Sequence, residues 1–291
     1  MIEIDPAVAA AKFVVALEST VIAHGLPRPL NLETARKLEA VVRESGATPA
    51  TVGIIHGKLK VGLDADDVRR LAEEENIRKV STRDLPLAVA QGWDGATTVA
   101  ATCWIAHRAG VKVFATGGIG GVHRGALPDI SADLPELART AIIVVCSGAK
   151  IVLDLPATRE WLETHGVTVV GYDCDQFPAF YSRRSDLAVD ARANTPAEVA
   201  AIFHAQRALG IESALLVTVP VPEQFEVPQE QLQEVLDQAL ESAERNGVGG
   251  RELTPFLLGH MAEHSGGVTL RANVALLENN ARVAAQIALE L

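Results

Sequence analysis

Two ionisable residues stand at the ends of apolar runs. The run IIVVCSGAK ends in Lys150, and the run VVALEST carries Glu18 after its apolar part. Desolvation and nearby cations can keep an amine neutral in such a place, and a neutral lysine amine forms Schiff bases. Burial raises the pKa of a carboxyl group, which favours a proton donor. The pair predicts covalent catalysis beside an acid, although a snorkelling lysine and a helix cap or structural ion pair fit the local sequence as well.

Two further segments carry groups that could hold an anionic ligand. KVSTRDLP brings Lys79, Arg83 and Asp84 close together, and GATTVAAT is a run of small residues that opens a predicted helix. The hydroxyl and amide groups of such a run can hold a phosphate at a helix N-terminus. Solvated surface charges for the first segment and tight helix packing for the second are the alternatives that the sequence leaves open.

A glycine-rich segment, TGGIGGVHRGALPDISAD, directly follows the apolar run VKVFA. Its glycines match neither a dinucleotide fingerprint nor a phosphate-binding NTPase loop, so they imply only that backbone can approach a ligand closely, with His123 at hand. Asp129 and Asp133 stand four positions apart with Ser131 between them. Such oxygen donors suit Mg²⁺ or Mn²⁺, which keep several waters, whereas helix capping is the ordinary role of loop aspartates.

Short β-branched runs alternate with amphipathic helical stretches along the chain. The predicted strands are Phe13–Leu17, Thr51–His56, Val111–Ala115, Ile142–Cys146, Val167–Gly171 and Leu215–Val219. The predicted helices are Leu32–Glu44, Asp64–Glu75, Ala96–His107, Ala157–Thr164, Ala197–Leu209, Gln229–Arg245, Pro255–His264 and Val274–Leu291. This alternation predicts an α/β fold with a mostly parallel sheet flanked by helices, a helical C-terminal portion and a single domain over residues 1–291. Ligands of such sheets bind beyond the carboxyl ends of the strands, where the segments above begin.

Composition excludes several classes of function. The 291 residues carry a net charge of -11, so binding to nucleic acid or to an anionic membrane is not expected. No apolar run approaches the length of a membrane helix, and the N-terminus lacks the features of a signal peptide. Cys103, Cys146 and Cys174 are too scattered for a disulfide framework or a metal site. We therefore expect a soluble, cytoplasmic protein.

Taken together, these segments resemble the pseudouridine-5'-phosphate glycosidase family. The strings VVALESTVIAHGLP, KVSTRDLP, DGATTVAAT, TGGIGGVHRG, DISADL, CSGAK and TPFLL occur in this order across nearly the whole chain. The resemblance implies an α/β enzyme, commonly a homotrimer with one Mn²⁺ per subunit. It implies the reversible conversion of pseudouridine 5'-phosphate and water into uracil and ribose 5-phosphate through a lysine Schiff base.

The resemblance also implies roles for individual residues. Lys150 matches the nucleophile, Glu18 the proton donor and Asp129 the metal ligand of the family. The positions that match substrate contacts or line the pocket in relatives are Lys79, Val99, His123, Ser131, Ala132, Asp133 and Asn273.

Three places differ from the family pattern. Only Leu127 and Pro128 stand between HRGA and DISAD where relatives carry a longer segment, Ile151 replaces a usual serine, and Val219 replaces a usual asparagine. Two interpretations of these changes are open with equal weight: ordinary sequence drift, or a reshaped side of the pocket that receives the base, where lost polar groups weaken recognition of uracil. A synthase that attaches ribose 5-phosphate to an aromatic polyketide, as in alnumycin biosynthesis, is therefore an alternative of equal standing. A non-catalytic phosphosugar-binding protein is a third.

Overall fold

The computed structural model describes residues 2–124, 129–249 and 253–291. The strands in these ranges are β1 (Ile2–Ile4), β2 (Val14–Glu18), β3 (Thr48–Ile55), β4 (Lys58–Val61), β5 (Arg78–Val80), β6 (Gly95–Thr97), β7 (Val113–Ala115), β8 (Val122–His123), β9 (Ile143–Cys146), β10 (Leu153–Asp154), β11 (Thr168–Tyr172), β12 (Ala191–Ala193) and β13 (Leu215–Thr218). The helices are α1 (Pro6–Ala10), α2 (Leu30–Glu44), α3 (Ala65–Glu73), α4 (Leu85–Gln91), α5 (Val99–Arg108), α6 (Asp133–Leu137), α7 (Leu155–Thr164), α8 (Pro196–Ala208), α9 (Gln229–Arg245), α10 (Leu253–His264) and α11 (Val268–Ala288).

Within the described ranges, one large sheet runs in the order β1-β4-β3-β2-β7-β9-β13-β11-β12, and β5 and β6 branch from β3. Its centre is parallel: β2 pairs with β3 and β7, and β9 pairs with β7 and β13. Strand β3 pairs with β4 and β6 in the antiparallel sense. The central strands are mostly apolar because helices cover both faces of a parallel sheet. The predicted α/β fold with a mostly parallel sheet is confirmed; the single domain stays a prediction.

The C-terminal portion is helical, as predicted. Helix α11 is largely buried and packs against α2, β2, β7 and β9, while α10 packs against α9 and α11. In the described part of the chain, no helix combines the length and the apolar character that crossing a membrane requires. Helix α11 belongs to the packing of the sheet, and α10 is joined to it through α11.

Two predicted helix starts are wrong by three residues or more. Helix α5 begins at Val99 and not at Ala96, because residues 95–97 form β6 and the hydroxyl of Thr98 accepts a hydrogen bond from the amide of Ala101. Helix α11 begins at Val268 and not at Val274. Its first turns bury Thr269, and polar residues on a buried face hide the apolar periodicity on which the prediction depended.

Candidate functional site

A cavity of about 350 Å³ opens beyond the carboxyl ends of the central strands. Every site residue predicted from the sequence lines it: Glu18, Lys79, Val99, His123, Asp129, Ser131, Ala132, Asp133, Lys150 and Asn273. The sheet explains the convergence, because β2, β7 and β9 are neighbours and point the same way. Groups that follow different strands therefore meet at one edge.

Glu18 is the last residue of β2 and is only 8% exposed. The hydroxyl of Thr116, directly after the neighbouring strand β7, donates a hydrogen bond of 2.7 Å to its carboxylate. Burial raises the pKa of Glu18 above the ordinary value, and the nearby Lys150 charge and the Thr116 hydrogen bond oppose that shift. Because burial is the larger effect, Glu18 is suited to hold a proton and to donate it.

Lys150 lies at the end of a loop that follows β9. The backbone of this loop is hydrogen-bonded to the glycine-rich segment after β7. The amide of Ser147 donates to the carbonyl of Gly117 at 2.8 Å, and the amide of Lys150 donates to the carbonyl of Ile119 at 3.1 Å. A reverse bond of 3.0 Å joins the amide of Ile119 to the carbonyl of Gly148. These bonds fix the direction in which a partly buried amine enters the cavity, close to Glu18.

The carboxylate of Asp133 accepts hydrogen bonds from two backbone amides. One oxygen accepts the amide of Ala100 at 2.9 Å and the other accepts the amide of Gly120 at 2.8 Å, and the residue is 5% exposed. Asp133 thus joins the first turn of α5 to the glycine-rich segment. Both segments line the cavity, so this aspartate shapes the site through the backbone it binds.

The N-terminus of α5 and Lys79 form a positively polarised part of the cavity wall. Thr98 and Val99 begin the helix and line the cavity. Pairing of β5 with β6 sets Lys79 opposite Ala96, next to that helix start. A helix N-terminus with a lysine beside it attracts phosphate. Ser131 and Ala132, at the start of α6, complete this part of the wall.

His123 lies in β8, and its amide donates to the carbonyl of Asp129 at 2.8 Å. Burial lowers the pKa of the His123 imidazole, and the charges of Lys150 and Lys79 lower it further, against the opposing effect of Asp129. A neutral imidazole here offers one hydrogen-bond donor and one acceptor to a ligand.

Among the described residues, no group of three or more His, Cys, Asp or Glu side chains could hold a metal ion. Asp129 nevertheless exposes a carboxylate on the cavity wall, whereas both oxygens of Asp133 are bound to backbone. A hard divalent ion that keeps its waters needs only one or two carboxylates. Asp129 therefore fits a hydrated ion completed by substrate, and does not fit an all-protein cage.

A reshaped pocket is not seen at two of the three places where the chain departs from the family pattern. Ile151 and Val219 are 5% and 4% exposed, belong to the hydrophobic core and do not line the cavity in the described part of the chain. Leu127 and Pro128 lie outside the described residues.

Several cavity residues were not predicted. Phe180 packs over the glycine-rich segment, close to Gly118. Thr116 was not predicted either; it supports the site through its bond to Glu18. The C-terminal helices add Thr254, Pro255, Leu258 and Leu277. The strings FPAF and TPFLL that contain Phe180 and residues 254–258 have no spacing typical of a site, so only the family resemblance could have pointed to them.

Comparison with known proteins places the chain among well-defined relatives. Residues 3–290 match the family described as indigoidine synthase A like protein. The chain is 51% identical to the pseudouridine-5'-phosphate glycosidase of Kosmotoga olearia, with 96% of each chain covered. It is 50% identical to that of Hahella chejuensis, with 98% of this chain and 95% of the relative covered.

Two solved structures share the fold. An indigoidine synthase A-like protein from Thermotoga maritima has a TM-score of 0.92 at 39% identity, covering 99% of this chain and 95% of that one. The prealnumycin C-glycosynthase AlnA, solved in complex with ribulose 5-phosphate, has a TM-score of 0.91 at 40% identity, covering 100% of this chain and 97% of the other.

Proposed function

The chain belongs to the indigoidine synthase A like family, and its relatives at about 50% identity are pseudouridine-5'-phosphate glycosidases. We propose that it reversibly converts pseudouridine 5'-phosphate and water into uracil and ribose 5-phosphate. The observation that carries this proposal is the placement of a buried carboxyl group, Glu18, beside Lys150 in one cavity. The choice of substrate follows the names of relatives that are 50% and 51% identical in sequence.

A carbon–carbon glycosidic bond explains why a lysine and an acid are required. The base leaves through carbon, so the two-carboxylate route of ordinary glycosidases does not apply directly. Glu18 donates its proton to the ring oxygen as the bond from that oxygen to C1 breaks, and the Lys150 amine adds to C1. The nitrogen gives up a proton to the Glu18 carboxylate, which passes it to the base carbon; the bond from that carbon to C1 then breaks, and the electron pair of the lysine nitrogen forms the imine. Water hydrolyses the imine, which releases ribose 5-phosphate and returns the free amine.

Binding of the phosphate positions the sugar for these steps. Lys79 and the start of α5 at Val99 attract the anion, and Ser131 adds a hydroxyl on the same wall. Binding energy from this remote group is used to hold C1 within reach of the lysine amine. Asn273 and His123 line the cavity as hydrogen-bonding groups for the hydroxyls of the sugar.

Asp129 is the residue that would hold a divalent cation, and we propose Mn²⁺ in one site per subunit. When bound, such an ion neutralises negative charge on the substrate and orients it. The proposal rests on the exposed carboxylate and on the family resemblance. Titration calorimetry with Mn²⁺ tests it on the wild type and on Asp129→Asn.

We also propose, on the same resemblance, that the protein is a homotrimer and acts in the cytoplasm. Sedimentation velocity measures the first directly, and a single monomeric species at catalytic concentrations would exclude it.

The second candidate is a synthase that joins ribose 5-phosphate to an aromatic acceptor. Two observations favour it: the similarity to AlnA, and the apolar side chains of Val21, Pro255, Leu258 and Leu277 on the cavity wall. A cavity of about 350 Å³ lies at the lower end of the range for ligand pockets, which favours the smaller base. We therefore place uracil first.

Release of uracil from pseudouridine 5'-phosphate in the presence of Mn²⁺ tests the proposed function. Chromatography should show uracil with the wild type and none with Lys150→Ala. If the wild type releases no uracil but consumes ribose 5-phosphate with a fused-ring phenol, the second candidate is correct. Reversible binding of ribose 5-phosphate without turnover of either kind would leave only a binding protein.

A further inference from the structure

A buried asparagine of α11 holds the ends of two central strands together. Asn280 has no exposed surface, and its side-chain amide donates to the carbonyl of Thr116 at 2.8 Å. The same nitrogen lies 3.4 Å from the carbonyl oxygen of Gly117 and 3.1 Å from the hydroxyl of Ser147, and that hydroxyl lies 3.3 Å from the amide oxygen. One side chain therefore bonds the segment after β7 and the segment after β9.

The segment after β7 contacts the proposed acid, and the segment after β9 carries the proposed nucleophile. Thr116, whose carbonyl is bound by Asn280, donates its hydroxyl to the carboxylate of Glu18 at 2.7 Å. Ser147 begins the loop that leads to Lys150. Among the described residues, hydrogen bonds link Asn280 to the acid through Thr116 and to the loop of the nucleophile through Ser147. The asparagine contacts neither catalytic group and does not line the cavity in the described ranges.

The position requires both a donor and an acceptor. The carbonyls at the end of β7 need an N–H group, because a carbonyl left without a partner in a fully buried place loses its hydration without compensation. The Ser147 hydroxyl can donate to the amide oxygen. An asparagine meets both demands, whereas leucine meets neither, and an ionised aspartate would face the carbonyl oxygens with negative charge.

We propose that Asn280 is a positioning residue that sets Thr116 against Glu18 and fixes the loop of Lys150, so that acid and nucleophile keep their mutual placement. This inference rests on the proposed function. It concerns residues on a helix far along the chain from the strands that it holds, since Asn280 and Thr116 are 164 positions apart.

The pH profile reports this arrangement separately from stability. As proton donor Glu18 must be protonated, so kcat falls as the pH rises through the pKa of Glu18. The Thr116 hydrogen bond favours the charged carboxylate, and its loss raises that pKa and moves the alkaline limb to higher pH. The charged and titratable groups that act on Glu18 or that it acts on are Lys150, Lys79, Asp133 and Cys103.

The test compares Asn280→Ala with Asn279→Ala, the same change at the partly buried neighbour on the same helix. With pseudouridine 5'-phosphate as substrate, we expect Asn280→Ala to lower kcat by about 10- to 100-fold with KM little changed, as for loss of groups that support a site. Its alkaline limb should move to higher pH, and Asn279→Ala should match the wild type in both. If folded Asn280→Ala has the kcat of the wild type and the same alkaline limb in its pH profile, the proposal is overturned, whatever its melting temperature.

A double variant isolates the path through Thr116. In the Thr116→Val background the hydroxyl bond to Glu18 is already absent, so adding Asn280→Ala should lower kcat further without moving the limb again. A second limb shift would overturn that path. Asn280→Ser, which can donate to only one carbonyl, replaces the alanine variant if the latter does not fold. A wild type that turns over no substrate would instead refute the proposed function, so the two failures are distinguishable.

Discussion

Replacing Gly148 with alanine tests whether the loop after β9 fixes Lys150. Gly148 has φ +78°, and a Cβ added there would lie 2.0 Å from the carbonyl oxygen of Pro178. Gly166 offers a matched control, because it has φ +68° and its added Cβ would meet no atom within 4 Å. The left-handed conformation costs about 1–2 kcal/mol for any residue with a Cβ, so that cost is common to Gly148→Ala and Gly166→Ala.

The contact with Pro178 is what separates the two variants. Cβ atoms essentially never approach another heavy atom closer than 3.0 Å, so either the loop or the opposing backbone must move by about 1 Å. Lys150 stands two residues later, and a displacement of that size at a nucleophile can cost about 100-fold in rate. We expect Gly148→Ala to lose kcat for uracil release by up to that factor, and Gly166→Ala to keep it.

Thermal unfolding and steady-state kinetics measured on both variants decide the outcome. Both should melt below the wild type, and only Gly148→Ala should lose activity beyond what its unfolded fraction explains. If the two folded variants turn over substrate within about twofold of each other, the loop does not set the position of the nucleophile.

Three further predictions follow from the site. Asp133→Asn leaves one of two buried amides without its acceptor, so the free energy of unfolding should fall by about 1.5–3 kcal/mol in chemical denaturation; an unchanged value would contradict the pairing. Burial raises the pKa of Glu18 in the folded protein above 4.5. The contribution of Glu18 to the free energy of unfolding is therefore complete below pH 4.5 and is lost as the pH rises through the pKa of the folded state. Glu18→Gln should therefore gain stability relative to wild type on going from acidic to neutral pH while losing catalysis, and a difference independent of pH would refute the burial argument. Asp129→Asn should weaken Mn²⁺ binding in calorimetry, and equal affinity would remove Asp129 as the ligand.

The central sheet could be predicted because its strands are apolar on both faces. Short, continuous apolar runs such as those that end at Cys146 and Thr218 are typical of strands buried in a parallel sheet. Strands β5 and β6 could not, since residues 95–97 are small and their pairing with β3 is set by tertiary contact. This pairing brings Lys79 to the start of α5. The sequence predicted Lys79 as a site residue but could not predict the strand pairing that places it there.

The cavity residues were predictable where a chemical group follows a strand, as for Glu18 and Lys150. The supporting contacts were not, because they depend on elements far apart in the chain. Asn280 lies in a helix whose buried polar residues obscure its periodicity, and no local pattern connects it to Ser147. The interpretation that Ile151 reshapes the pocket failed for the same reason, since adjacency to Lys150 in sequence did not predict which way its side chain would point.

Reductive trapping measures the central claim, the covalent bond between a lysine amine and the sugar. The wild type is incubated with ribose 5-phosphate and borohydride, and the adduct is mapped by peptide mass spectrometry. We expect one sugar on Lys150, an adduct that persists at reduced yield in Lys79→Ala, and none in Lys150→Ala. An adduct on another side chain, or none on the folded wild type, would contradict the mechanism.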